Sequence, residues 1–142
     1  GSRKGTNKLR QIYSKVFPKA VIVKTGDKHA EMVKYFTNTF LATKVSFANE
    51  MYNICEQIGI DYDKVVEYAI YDERLGKSHW AVPGPDGDFG FGGHCFPKDL
   101  SAIINQFDTY GLLESVEEVN NQVREDRDWE HMVGRAVLEE EE

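Results

Sequence analysis

Cysteines are rare in this chain, and several common sequence motifs are absent from it. It has two cysteines among 142 residues, Cys55 and Cys95, far apart and in unlike contexts, which argues against a disulfide framework or a zinc site. No apolar run is long enough to cross a bilayer, and no signal-peptide pattern is visible. A GxGxxG pattern is absent as well, so we expect no dinucleotide-binding βαβ unit in this chain.

Basic charge is also scarce. Seventeen Lys and Arg residues face 24 Asp and Glu residues, a net charge of −7. This balance argues against a nucleic-acid or anionic-membrane surface, although a local basic pocket for a phosphate stays compatible with it. With 41% hydrophobic residues, the composition is ordinary for a globular domain with its own core. Because the two cysteines suggest no disulfide framework, we expect a reducing, cytoplasmic location.

The most unusual stretch runs from Gly90 to Leu100, where three glycines lead into Cys95. Pro97 is typical of a first helical position, which predicts that Cys95 lies just before a helix N-terminus. The free N–H groups and the dipole there favour a thiolate, and Lys98 acts in the same direction. Each residue alone fits a buried thiol or a plain turn. Their combination favours a nucleophilic cysteine, with any tuning by His94 a further hypothesis.

The longest pattern is helical and covers residues 28–58 without proline or internal glycine. Gly59 is suited to end it. At about 1.5 Å per residue the helix would be roughly 45 Å long, which favours a second subunit as cover for its apolar stripe. Lys34 and Asn38 lie four apart and share a face, but spacing alone favours two solvated polar residues. The stripe consists of Met32, Tyr35, Phe36, Phe40, Leu41, Val45, Ala48, Met51, Ile54, Cys55 and Ile58.

The remaining patterns predict short elements. They are a helix over residues 7–17, a strand over 20–24, a helix over 62–70 capped by Asp61, a helix over 97–110 and a charged last helix over 113–138. In the last helix we expect Asn120, Asn121 and Arg124 on the exposed side. Trp80, in the loop over 77–89, fits either a residue that stacks on a base or sugar or one that packs on its own domain.

The stretch around Cys95 resembles the catalytic-cysteine signature of the UDP-glucose/GDP-mannose dehydrogenase family. Its Phe96-Pro97-Lys98-Asp99 continuation is most similar to the UDP-glucose 6-dehydrogenase branch. The resemblance extends over residues 30–59 and 72–76. It implies a mainly α fold, a helical bundle built on one long dimerisation helix like the C-terminal part of 6-phosphogluconate dehydrogenase.

The resemblance also implies a domain order. Residues 1–27 would be the remnant of an NAD-binding Rossmann domain, with 20–24 as its last strand. The dipeptide Gly1-Ser2 is by itself typical of a cleavage remnant and is left out of the fold prediction. Residues 28–138 would form the central helical domain, and 139–142 an acidic tail. Because the NAD-binding domain is missing from this order, we expect the chain alone to be inactive.

The implied chemistry is the oxidation of the C6 alcohol of UDP-glucose to a carboxylate by two hydride transfers to NAD. Cys95 would form a thiohemiacetal and then a thioester. Lys34 and Asn38 would stabilise the oxyanions, and Asp99, with Lys34, would position or deprotonate water.

The resemblance assigns binding roles too. Arg74 would reach the sugar nucleotide of the partner subunit in a homodimer formed through residues 28–58. Gly92 would let the backbone approach the sugar, and Lys98 would lie near the cofactor; no metal is expected. The loop over residues 77–89 departs from the family, because it is longer and lacks the usual Phe-Leu-x-Ala segment.

Three alternatives stay open. Within the family, oxidation of GDP-mannose or UDP-N-acetylmannosamine is the nearest; the Gly-Gly-His-Cys run leaves the latter open, and Pro-Lys-Asp argues against it. A non-catalytic helical dimerisation module explains the apolar stripe but not the loop before Cys95. A metal site built from His79, His94 and Cys95 has no supporting ligand spacing.

Overall fold

The computed structural model describes residues 2–132, and these are mainly helical, as predicted. The helices are α1 (Arg3–Val16), α2 (Asp27–Ile58), α3 (Tyr62–Ala69), α4 (Cys95–Gln106) and α5 (Leu112–Val123), with 3₁₀ turns at Glu73–Leu75 and Asp128–His131. None of the helices in this range has the length and apolarity to span a bilayer.

The chain divides into two compact units, and the boundary falls within α2, after Val33. In the first unit, α1 begins four residues before the predicted start at Asn7, because the Ser2 hydroxyl caps it by accepting a hydrogen bond from the Gly5 N–H at 3.2 Å. Ser2, which the sequence suggests is a cleavage remnant, thus takes part in the fold.

The strand predicted over residues 20–24 is not formed in the structure, which describes these residues without strand pairing. Val21 and Val23 are 91% and 74% exposed. β-Branched residues favour a strand only where a neighbouring strand pairs with it, and this stretch has no such neighbour among residues 2–132.

In the second unit, both ends of the link between α2 and α3 follow local signals. Gly59 has a φ of +70° and its N–H donates to the Glu56 carbonyl, while the Ile60 N–H donates to the Cys55 carbonyl at 3.0 Å. This pair of bonds is a Schellman motif and closes α2 where predicted. Asp61 then caps α3 by accepting from the Lys64 N–H at 3.3 Å, also as predicted.

The core of this unit consists of two clusters against the inward face of α2. Ala42 packs with Phe91, Leu100 and Val116 in the first, and Ala48 with Cys55, Tyr62 and Val82 in the second. Cys55 is 2% exposed, so the prediction that it is a core residue is confirmed. The Tyr62 hydroxyl donates to the Trp80 carbonyl at 2.8 Å, and burial raises the pKa of Tyr62 to about 12.

The last two helices differ from the predictions. α4 begins at Cys95 instead of Pro97 and ends at Gln106. α5 follows Gly111, whose φ is +87°, and ends at Val123 instead of running to residue 138; residues 133–138 lie outside the described range.

The prediction that Asn120 and Arg124 are exposed is wrong. They are 2% and 7% exposed, because both side chains turn inward to serve the backbone of the loop before α4. Asn121 is half-buried, so it also departs from the predicted exposed position.

Candidate functional site

Asp99, in the second turn of α4, is fully buried and joins α4 to α2. Lys34 Nζ donates to its Oδ1 and Oδ2 at 2.8 and 2.6 Å, and Asn38 Nδ2 donates to Oδ2 at 2.5 Å. Lys98 Nζ donates to Oδ1 at 2.5 Å. The structure therefore brings together four of the residues singled out from the sequence, although Lys34 and Asn38 lie more than 60 positions from Asp99.

The charges in this group are well defined. Burial, the largest single influence, acts to raise the pKa of Asp99, but the hydrogen bonds from Lys34, Lys98 and Asn38 outweigh it and hold that pKa below its ordinary value. The hydrogen bond to Asp99 raises the pKa of Lys34 above its usual range. Asp99 is consequently a carboxylate and Lys34 an ammonium at neutral pH.

Lys34 and Asn38 also keep donors for another group. An ammonium has three N–H donors and a side-chain amide two, so contact with Asp99 does not use them all. The Lys34 side chain is 54% exposed, which leaves its remaining N–H groups open to a ligand. This arrangement can place positive charge and an amide donor beside an oxygen that becomes negative.

Cys95 is the first residue of α4 and is exposed. It therefore lies one step inside the helix, not just before it, and Pro97 occupies the third helical position, where the backbone N–H has no intrahelical partner to lose. Because Cys95 and Asp99 are four residues apart, they lie on one face of α4. The thiol thus stands at a helix N-terminus, one turn before the carboxylate that Lys34 and Asn38 bind.

Side chains hold the glycine loop before Cys95 at three of its amides. The Gly90 N–H donates to Asn49 Oδ1 at 3.1 Å, and the Phe91 N–H donates to Asn120 Oδ1 at 2.7 Å. The Gly93 N–H donates to both carboxylate oxygens of Asp128 at 3.0 Å. We call the three acceptors Asn49, Asn120 and Asp128 the amide clamp. Asn49 and Asp128 were not singled out from the sequence, and Asn120 was expected on the exposed side; the amide of Asn49 within the apolar stripe of α2 was an available signal.

Gly92 and Gly90 fit this loop for steric reasons. A Cβ on residue 92 would overlap the Arg124 guanidinium and the Asp128 carboxylate, and a Cβ on residue 90 would overlap the Asn120 amide. Close packing of the protein on itself therefore requires glycine at position 92, whether or not a sugar also approaches there.

Arg124 is the cation of the loop. Its side chain is 3% exposed, and it pairs with Asp86 at 2.9 Å and, at longer range, with Asp128 at 3.6 Å. It also donates to the Phe89 carbonyl at 3.3 Å. Although burial acts to raise the pKa of Asp86, the hydrogen bond from Arg124 contributes to holding it below its ordinary value.

Arg74 belongs to the 3₁₀ turn Glu73–Leu75 and pairs with a carboxylate other than Asp99. Its side chain is 88% exposed and pairs with Asp72 at 2.5 Å. The turn that carries it is fixed by Lys44 Nζ, which donates to the Leu75 carbonyl at 2.8 Å, and by Trp80 Nε1, which donates to the Gly76 carbonyl at 2.9 Å. Trp80 thus packs on its own domain, the second of the two interpretations.

A cleft of about 430 Å³ adjoins the loop, a volume in the range of small-molecule sites. Its walls include His79, Pro85, Gly90, Phe91 and Phe96. Among residues 2–132, no three His, Cys, Asp or Glu side chains group in a way that could hold a metal ion. These residues also contain no strand to support a dinucleotide site, so they do not fit NAD on their own.

The sequence over residues 28–122 matches the model of the UDP-glucose/GDP-mannose dehydrogenase family, central domain. The chain therefore belongs to the UDP-glucose/GDP-mannose dehydrogenase family, and the resemblance seen at Cys95 is confirmed.

Three relatives of this chain are each named as a UDP-glucose 6-dehydrogenase. The chain is 41% identical over 109 residues to the UDP-glucose 6-dehydrogenase TuaD of Bacillus subtilis, covering 74% of this chain and 23% of TuaD. It is 44% identical over 104 residues to UDP-glucose 6-dehydrogenase YwqF of the same organism, covering 70% and 22%. It is 38% identical over 120 residues to UDP-glucose 6-dehydrogenase AglM of Haloferax volcanii, covering 80% and 27%. The chain thus spans about a quarter of the length of these relatives.

Proposed function

We propose that this chain is the central part of an NAD-dependent UDP-glucose 6-dehydrogenase, which oxidises UDP-glucose to UDP-glucuronate. The observation that carries the proposal is the meeting of Lys34 and Asn38 with Asp99 on the face of α4 that also bears the exposed Cys95. The names of the relatives support the choice of UDP-glucose over other nucleotide sugars.

Cys95 is the nucleophile in this proposal. Its Sγ attacks the aldehyde carbon at C6 of the sugar, a C–S bond forms, and the carbonyl electrons move to oxygen. The remaining donors of Lys34 and Asn38 face that oxygen and stabilise its charge. Water later cleaves the thioester formed by the second oxidation, through a tetrahedral intermediate that needs the same donors.

Asp99 has a narrower role than the family resemblance alone implies. A general base works best when its pKa lies near the working pH, and the pKa of Asp99 lies below even its ordinary range. We therefore propose that Asp99 orients Lys34 and Asn38 and keeps Lys34 charged, and that it does not itself deprotonate water.

The remaining assignments belong to the complete protein. Arg74 would contact the sugar nucleotide of the partner subunit, Gly92 would face the sugar and Lys98 would lie near the cofactor. NAD would accept the hydrides and be held by a domain outside this chain, with residues 1–27 as its remnant, 28–138 as the central domain and 139–142 as an acidic tail. Without that domain the chain would not turn over.

The complete protein would be a cytoplasmic homodimer through α2. Large apolar side chains on α2 are exposed in the single chain, and they are spaced at helical intervals. These are Phe36, Phe40, Phe47, Ile54 and Ile58. The same face supports the second candidate, a dimerisation module without chemistry.

An assay of the complete protein separates the candidates. NADH formation would be followed with UDP-glucose, GDP-mannose and UDP-N-acetylmannosamine, in the parent and in C95A. We expect UDP-glucose to give the highest kcat/KM and C95A to lower kcat by about 10³-fold or more, because covalent catalysis is lost.

The matched control is C55A, which removes the other, buried thiol and should keep kcat near that of the parent. If C95A retained a tenth or more of the parent kcat, Cys95 would not be the nucleophile. If no nucleotide sugar were oxidised, the module without chemistry would be favoured.

A further inference from the structure

The amide clamp takes no part in the chemistry proposed above. Its three members come from three different elements, α2, α5 and the 3₁₀ turn after α5, and all three accept from the backbone of one loop. Asn49 and Asn120 are buried, whereas Asp128 is only half-buried. Asp128 is thus the member that can be changed with least damage to the core.

We propose that Asp128 is a positioning residue for Cys95, which acts through the Gly93 N–H and is itself held by Arg124. The proposal rests on the proposed function, in which Cys95 is the nucleophile. It adds that the 3₁₀ turn after α5 determines where the thiol points.

The position of Gly93 in the chain supports this role. Gly93 has a φ of +71° and lies two residues before Cys95, so its backbone sets the direction in which α4 begins. The Asp128 carboxylate accepts from the Gly93 N–H with both oxygens at 3.0 Å, so it fixes the loop backbone two residues before Cys95.

Arg124 anchors the carboxylate from the other side. Its buried guanidinium lies 3.6 Å from Asp128 Oδ1 and fills the space beside Gly92 that a Cβ would need. The same guanidinium binds Asp86 and the Phe89 carbonyl, on the other arm of the loop. Asp128 is consequently tied to both sides of the glycine loop, and its acceptor atoms have little freedom to follow a displaced Gly93.

A merely structural role for Asp128 makes a different prediction. If the ion pair only stabilised the end of α5, its removal would lower the unfolding temperature and leave the reactivity of Cys95 in the folded protein unchanged. Positioning instead predicts a change at Gly93 and Cys95 in a protein that stays folded, with rescue by a residue that keeps an acceptor.

The test uses this chain with the variants D128A and D128N, and E130A as control in the same 3₁₀ turn. Three quantities would be measured: the hydrogen exchange of the Gly93 amide by NMR, the rate of Cys95 alkylation by iodoacetamide between pH 6 and 9 with Cys55 as internal reference, and the unfolding temperature.

In D128A we expect hydrogen exchange of the Gly93 amide to be about tenfold faster, because one net hydrogen bond is lost. We expect alkylation of Cys95 at neutral pH to be slower by about threefold or more. D128N retains an acceptor for Gly93 and should keep at least about half of the Cys95 rate. E130A should match the parent chain in all three measurements.

Parent-like alkylation rate and pH profile in folded D128A would overturn the proposal, as would a loss of rate that only follows a loss of folded protein. Should D128A fail to fold, D128E decides in the same way, because it retains the charge opposite Arg124 but displaces the acceptor from Gly93.

If D128A behaved like the parent chain while C95A abolished turnover of the complete protein, the proposed function would stand and only this inference would fail. If instead C95A stayed active, the proposed function would fail, and Gly93 exchange would still report on the clamp.

Discussion

A buried carboxylate is unfavourable unless its charge is compensated, and Asp99 meets that condition through three neighbouring side chains. Two of its partners come from α2 and one from its own helix. The Asp99 carboxylate therefore joins α2 to α4 and also holds two of the proposed catalytic side chains. The stability that its hydrogen bonds provide should depend on pH.

We expect D99N to lower the free energy of unfolding at pH 7 by about 2 kcal/mol, because charged hydrogen bonds become neutral ones. The folded pKa of Asp99 lies below its unfolded value of about 3.9, so the stabilisation is present above about pH 4 and is lost as the pH falls through the folded pKa. Urea unfolding at pH 7 and at decreasing pH values would measure this.

The control for this experiment is D108N, at an exposed position. It should unfold like the parent chain at each pH. Equal stability of D99N and the parent at pH 7 would mean that the hydrogen bonds to Asp99 contribute nothing net.

Sequence reasoning reached this group only in part. From spacing alone, Lys34 and Asn38 look like solvated residues, because nothing local indicates a partner 61 or 65 positions away. The family motif singled them out. Asn120 and Arg124 had no such motif, and in a helix with charges on most faces the periodicity could not tell which polar residues turn inward.

Among the elements, the glycine loop is held by side chains that are distant in sequence. Gly90 and Gly87 both have positive φ, at +67° and +86°. A Cβ at position 90 would overlap the Asn120 amide, whereas a Cβ at position 87 would meet nothing within 4 Å. A comparison of alanine substitutions at the two positions therefore distinguishes the cost of the left-handed backbone from the cost of steric overlap.

We expect G87A to cost about 1 kcal/mol, for the left-handed backbone alone, and G90A about 3 kcal/mol or more, because it also forces Asn120 off the loop. Thermal unfolding of the two variants would measure the difference. If G90A and G87A were equally destabilised, the packing of Asn120 against the loop would not contribute.

The ends of elements were predictable where the signal is local. Gly59 and Asp61 mark the end of α2 and the start of α3 by their own conformational preferences. The end of α5 has neither glycine nor proline. Beyond it, Arg124 Nε donates to the nearby Asp126 carbonyl, and the Asp126 N–H donates to Asp88 in a distant loop. The second of these contacts cannot be read from a helical pattern.

At the scale of the molecule, the exposed apolar face of α2 is the main feature that a single chain leaves unexplained. Phe36, Phe40 and Phe47 are 70%, 61% and 51% exposed. Side chains of this size on one face are typical of a protein interface, in agreement with the proposed homodimer.

We expect F40D to weaken self-association by about thirtyfold or more, because aromatic residues at the centre of an interface contribute about 2 kcal/mol or more. Sedimentation equilibrium over a range of chain concentrations would measure the dissociation constant. Y110D, which changes an exposed aromatic residue between α4 and α5, is the control and should associate like the parent chain. A monomeric parent chain, or a dimer insensitive to F40D, would place the interface elsewhere.

The Arg124 guanidinium beside Gly92 limits how the glycine loop can be redesigned. Positions 92 and 124 share one volume, so a larger residue at 92 is admissible only with a shorter one at 124. The shorter residue would in turn leave Asp86, Asp88 and Asp128 without their common counter-ion. Combinatorial libraries should therefore vary these five positions jointly, since changes introduced singly would be selected out before any new specificity could emerge.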